Sequence, residues 1–216
     1  MDIKFYQFIF IYLLVIVPSS CNSQSTSSMD SQKFRLVGGP CEGCEAVLEH
    51  PKRIYSTDTL PDFKQAKDKI KVQGTVYQQD GKTPASGVII YVHHTNNEGI
   101  YPTRGGEKGW AKRHGYLRAW VKTDSNGRYS FYTFVPAAYP SRTEPAHIHF
   151  TILEPNGTYY WIGSSHFAGD PLLTKNETDT LAPRGGSSGL LDLKQEGSLR
   201  TGTRDIILGK NIPNYE

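Results

Sequence analysis

The sequence is short of several things, and each shortage excludes a class of protein. It has three cysteines in 216 residues, too few for a scaffold held by several disulfides. Neither sign of charge dominates: 24 Lys and Arg against 21 Asp and Glu leave a formal net charge of +3. That is too mild for a protein whose main partner is nucleic acid. There is no internal repeat, which excludes solenoids and propellers. The apolar run Phe8 to Val17 (FIFIYLLVIV) is too short to span a bilayer comfortably.

What is plentiful points one way. Gly (21), Pro (13) and Tyr (13) suit a turn-rich β protein better than a helical bundle. Apolar residues at 37% and charged residues at 21% fit a soluble globular chain. The length fits one domain with short terminal segments. Lys4, the apolar run and the small residues Ser19 and Ser20 read as an export signal over residues 1–20. Cys21 at the junction is expected to carry lipid, giving a periplasmic or cell-envelope lipoprotein with possible membrane attachment. A plain secretory signal with an incidental Cys21 is the alternative. A polar tether is expected over 21–35 and the folded domain over 36–216.

Within that domain Cys41 and Cys44 form a CEGC, read as a local disulfide in an oxidising compartment. From residue 70 onward the pattern is one of strands: IKVQGTVY, GVIIYVHH, LRAWVKTD, RYSFYTFV, AHIHFTIL, TYYWIGS and RDIILG. LRAWVKTD and RYSFYTFV read as a hairpin closed by Ser125, Asn126 and Gly127. Residues 183–202, rich in Gly and Ser, read as a surface loop. The expected fold is all-β, a β-sandwich with long loops and few short helices.

His147 and His149 flank Ile148 on a strand. Alternation puts both imidazoles on one face, with Cα atoms roughly 6.6–6.8 Å apart, so two nitrogens can reach one metal. A cupin-type site fails because Glu154 falls on the opposite face of an unbroken strand. A metallo-hydrolase H-x-H-x-D-H pattern fails because Thr151 and Ile152 stand where the acid and third His belong. Tyr139 in VPAAYP and Tyr101 in NNEGIYPT are the remaining donors of interest. Either tyrosine taken alone reads as ordinary packing. If both are ligands, the charge count favours Fe(III), which keeps a phenolate ionised at neutral pH where a phenol normally stays protonated.

Several stretches, in order, resemble the intradiol ring-cleavage dioxygenases, the family of the catechol and protocatechuate dioxygenases. They are VQGTV, PASGVIIYV, EGIY ending in Tyr101, TDSNGRYSF, TFVPAAYP with Tyr139, PAHIHF and FAGDPL, covering roughly half the chain. The resemblance implies a β-sandwich holding one non-haem Fe(III) per chain through Tyr101, Tyr139, His147 and His149. It implies insertion of O2 between the two hydroxyl-bearing carbons of a catechol, giving a cis,cis-muconate-type product. Tyr139 is then the ligand released as substrate binds, and so also a catalytic base. Two departures stand out: Glu144 where the family usually has Arg, and Ser164 where it usually has Gln. Arg142 is the expected substitute for the missing catalytic cation. Residues 101–118 carry Arg104, Lys108, Lys112, Arg113 and Arg118 against Glu107, a net of +4. As a pocket rim this would favour an anionic or phenolic ligand; as a solvated loop it would do nothing. His114 and His166 are expected to line the pocket, His93 and His94 to face opposite ways, and Trp110, Trp120 and Trp161 to pack. The strands also resemble transthyretin-like modules, which leaves a non-catalytic exported binding module as the alternative. A third reading is an iron-binding member with little turnover.

Overall fold

The computed structural model describes Met1 and residues 34–216. The expected export signal, Cys21 and the tether up to residue 33 lie outside the described residues. Arg35, expected at the end of the tether, opens the first strand.

The strands run in chain order as β1 (Arg35–Leu36), β2 (Thr57–Thr59), β3 (Lys69–Tyr77), β4 (Ile89–His94) and β5 (Arg118–Lys122). Then come β6 (Arg128–Phe134), β7 (His147–Leu153), β8 (Thr158–Trp161) and β9 (Ser165–Phe167). The last four are short: β10 (Leu190–Leu191), β11 (Lys194–Glu196), β12 (Leu199–Thr203) and β13 (Ile206–Ile207). Helical turns are few and brief, at Cys44–Glu49, Ala111–His114, Lys175–Thr178 and Arg184–Gly186. Seven strands form one sheet, with β1-β8-β7-β4-β5 in order and β9 and β10 attached beside β7. Six form the other, β11-β12-β3-β6-β2 with β13 attached to β3.

Alternation explains why the two sheets stack. Ile70, Val72 and Val76 of β3 and Phe131 of β6 meet Ile90, Val92, Ile148, Phe150 and Ile152 of β4 and β7 in one buried core. β4 is buried at all six positions. Its outward-facing Ile89 and Tyr91 lie under a second, smaller core with Cys44, Ala46 and Val47 of the Cys44–Glu49 turn. The Cys41–Cys44 disulfide forms, with Cα atoms 5.7 Å apart, and anchors the start of that cover.

Two sequence expectations are corrected. The Asp124–Gly127 turn exists: Asp124 Oδ1 accepts the backbone N–H of Asn126 and of Arg128, both at 2.9 Å. The strands it joins do not pair with each other. β5 pairs with β4 in one sheet and β6 with β3 and β2 in the other, so the turn crosses between layers. Turn chemistry fixes the reversal; the burial pattern of each strand decides its partner. Residues 183–202 are not simply a surface loop either. They contain β10, β11 and most of β12, and β12 runs parallel to β3 from Arg200 opposite Ile70 to Thr203 opposite Gln73. Polar composition hid β12, which lies between β11 and β3 and needs only one buried face.

Candidate metal centre

β7 sends Ile148, Phe150 and Ile152 into the core between the sheets. Its other face carries His147, His149 and Thr151, which line a cavity of about 670 Å³ on the outer side of that sheet. Register supplies two more imidazoles. His93 of β4 lies directly opposite His149, and His166 of β9 lies opposite His147. Both line the cavity, as does His114. His93 is sandwiched, with its ring 3.9 Å from that of His114 and 4.5 Å from that of His149. Its Nδ1 is buried without a partner. His94 points the other way, to Thr133 Oγ1 at 2.6 Å and the carbonyl of Thr95 at 2.7 Å.

The two tyrosines arrive on loops. Tyr101 follows β4 and Tyr139 lies between β6 and β7. The loops are tied to each other: the Ala137 N–H donates to the Asn96 carbonyl at 3.1 Å, and Thr95 Oγ1 donates to the Ala137 carbonyl at 2.7 Å. Gly99, at φ +75°, lets them touch, since a Cβ there would sit 2.0 Å from the Ala138 carbonyl oxygen.

Four donor atoms then converge. The Tyr101 and Tyr139 hydroxyls are 2.6 Å apart. His149 Nε2 is 2.8 Å from the Tyr101 hydroxyl and 3.4 Å from that of Tyr139. His147 Nε2 is 3.1 Å from His149 Nε2. Bonds of about 2 Å to a central ion give donor–donor edges of about 2.8–3.4 Å, so this is the spacing of a coordination shell. His147 Nδ1 faces the Pro145 carbonyl at 2.8 Å. A carbonyl only accepts, so Nδ1 carries the proton and Nε2 turns a lone pair toward the cluster. Two imidazole nitrogens and two phenols aimed at one point suit a shared cation better than one another. Among the described residues, no three His, Cys, Asp or Glu side chains form a metal-holding group. A metal here therefore depends on the phenols.

Burial sets the charge state. It lowers His149 to about 3 and His114 to about 4, and lowers His93 and His166 as well. Burial pushes the Tyr101 phenol up, reinforced by its bond to Tyr139, and pushes Tyr139 up too. Neutral imidazoles are ready ligands, while the phenols need a strong Lewis acid to ionise.

Other expectations fare unevenly. Glu144 and Ser164 line the cavity, and Ser164 Oγ is 3.4 Å from His149 Nδ1. Arg142 does not line it: the residue is exposed, at φ +52° in the turn closed by its N–H on the Tyr139 carbonyl at 2.8 Å. The basic loop is not a free cationic rim. Arg104 pairs with Asp62 at 3.2 Å, Arg118 with Glu49 at 2.8 Å and Arg113 with Glu42 at 2.6 Å. Of the loop's cations only Arg113 lines the cavity. Trp120 packs as expected; Trp110 packs on the small core and also lines the cavity, and Trp161, 38% exposed, joins the cavity wall. Glu42 and Cys41 also line it, which nothing in the local sequence signals.

Fold and donor set together describe a β-sandwich protein in which two tyrosines and two histidines converge on the outer face of one sheet. The sequence profile of the Dioxygenase family matches residues 54–184. The protocatechuate 3,4-dioxygenase beta chain of Burkholderia cepacia is 30% identical over 155 residues, covering 65% of this chain and 64% of that one. Catechol 1,2-dioxygenase 1 of Acinetobacter lwoffii is 29% identical over 138 residues, 55% of this chain and 41% of that one. The chain thus spans under two thirds of the length of either relative. The dioxygenase domain of a carbohydrate-binding fusion from Streptomyces sp. SirexAA-E shares the fold, with a TM-score of 0.54 at 22% identity, covering 81% of this chain and 98% of that one. The chain belongs to the intradiol ring-cleavage dioxygenase family, whose members use non-haem Fe(III) and act on catechols with O2.

Proposed function

We propose that this protein holds one Fe(III) per chain through Tyr101, Tyr139, His147 and His149, and cleaves a catechol between its hydroxyl-bearing carbons to a cis,cis-muconate-type dicarboxylate. The observation that carries the reading is the convergence of the four donor atoms, each within 3.4 Å of a neighbour. Bound ferric iron would supply Lewis acidity, drawing electron density from a catecholate so that the ring becomes reactive toward O2.

The protein's own part is positioning and proton handling. The Pro145 carbonyl orients His147, and the β4 and β9 neighbours wall in the histidine pair. Tyr139 sits on a loop outside any strand and is half-buried, so its side chain can leave the cluster without breaking a ladder bond. Its oxygen then accepts a proton from the incoming catechol. The Cys41–Cys44 disulfide supports an exported protein working in an oxidising compartment.

A second reading, iron binding with little turnover, is favoured by one feature: a carboxylate, Glu144, stands beside a ring that must build up negative charge. One experiment separates the readings. The purified mature protein is assayed for iron and its visible spectrum recorded, catechol is added under argon, and O2 is then admitted. The expected result is a red-brown ferric-tyrosinate band, a shift on adding catechol, and muconate after O2. A shift without product selects the second reading. Protein that stays colourless after iron is supplied overturns both.

A further inference from the structure

The cavity has three charged side chains in its lining, and two of them cancel. Arg113 pairs with Glu42 at 2.6 Å, and both are largely exposed. Glu144 lines the same cavity and, among the described residues, makes no ion pair. One cation against two carboxylates leaves a charge of −1. The cations that the sequence would bring here are engaged elsewhere. Arg104 and Arg118 sit on Asp62 and Glu49, outside the cavity lining, and Lys108, Lys112 and Arg142 do not reach it. The space, about 670 Å³, is that of a site for a ligand larger than a single ring. A catechol on the four donors therefore leaves room for a substituent, and that substituent shares the cavity with Glu144.

We propose that Glu144 determines substituent specificity, so that the site takes catechols with a cationic tail and disfavours those with a carboxylate tail. The inference rests on the ferric catechol-binding reading above and names its substrate class.

The test uses three catechols of similar size: 4-ethylcatechol (neutral), dopamine (ammonium) and dihydrocaffeate (carboxylate). Each is titrated under argon into the iron-loaded full chain, following the visible band, and each affinity is taken relative to 4-ethylcatechol in the same variant. Dopamine is expected to bind about tenfold tighter than dihydrocaffeate, an attraction and a repulsion of the size exposed charges give. Glu144→Gln should bring that ratio to about twofold or less, and Glu144→Lys should invert it. The preference should also shrink as salt is raised. Dihydrocaffeate binding as well as dopamine, or a preference that survives Glu144→Gln, overturns the proposal. If even 4-ethylcatechol leaves the band unmoved, the catechol reading has failed and takes this inference with it. The neutral compound thus tells the two failures apart.

Discussion

Tyr101 makes the two shortest contacts in the donor cluster. Its hydroxyl lies 2.6 Å from Tyr139 and 2.8 Å from His149, whereas Tyr139 reaches His149 only at 3.4 Å. Losing the tightly held Tyr101 should cost more than losing the looser Tyr139. Tyr101→Phe is expected to weaken iron binding by more than about a hundredfold, beyond the roughly 10–100-fold loss usual for a residue that merely supports a ligand. Tyr139→Phe should keep most of the iron but alter the visible band and slow ring cleavage. Competition with a chelator measures the first effect, and the spectrum with a product assay the second; the reverse order of iron loss would contradict the ranking. At this scale the His pair was legible, because a strand's period of two puts positions 147 and 149 on one face. The tyrosines were legible only through family resemblance, since thirteen are present and spacing singles out none. The place of Arg142 outside the cavity lining was not legible, because an offset of two in sequence says nothing about a turn that reaches φ +52° at that residue.

Elements bring the two tyrosine loops together, and Gly99 is where they meet. A Cβ at that position would overlap the Ala138 carbonyl oxygen and crowd Tyr139 Cα at 3.2 Å, and φ is +75°. Gly99→Ala therefore combines backbone strain with a forced separation of the loops. We expect it to destabilise the fold by about 1–3 kcal/mol. It should also lower iron affinity, because Tyr139 moves away from Tyr101. Urea unfolding of the iron-free protein reads the first and chelator competition the second. Unchanged values for both would show that the loops are not held in contact here. Strand identities were legible at this scale, but pairings were not. Nothing local to Asn126 and Gly127 says that β5 and β6 belong to different sheets. Likewise, His93 opposite His149 follows from the register of β4 on β7, which joins residues 56 apart in the chain, a relation no local pattern encodes.

The whole molecule depends on ties between its two sheets, and the largest of its fully buried side chains makes one. Arg204 follows β12 in the six-stranded sheet, where its N–H donates to the Gln73 carbonyl at 2.9 Å and its own carbonyl accepts the Tyr129 hydroxyl at 2.7 Å. Its guanidinium crosses to the other sheet. There it donates to the Ile162 carbonyl at 2.8 Å, the Gly163 carbonyl at 3.1 Å and Ser165 Oγ at 3.0 Å, over the ring of Phe150. Among the described residues no carboxylate pairs with it. Burial lowers its pKa to about 10, which still leaves it charged at neutral pH. This tie was invisible in the sequence, where RDIILG reads as an ordinary terminal strand and the preceding residues as loop. Truncation removes three charge-assisted bonds and leaves three acceptors unserved, two of them buried, offset in part by no longer burying an unpaired cation. Arg204→Ala, which also opens a cavity beside Phe150, is expected to cost about 3–4 kcal/mol. Arg204→Met keeps the packing over the ring and drops the buried charge, so about 1–2 kcal/mol is expected. The acceptors flank Ser164, which lies against His149. Both variants should therefore loosen that wall and weaken iron binding alongside stability. Urea midpoints with and without iron check this: the gap between them should narrow in both variants, because less of the native state's stability then comes from metal. A gap as wide as in the parent chain would mean that Arg204 joins the sheets without supporting the site.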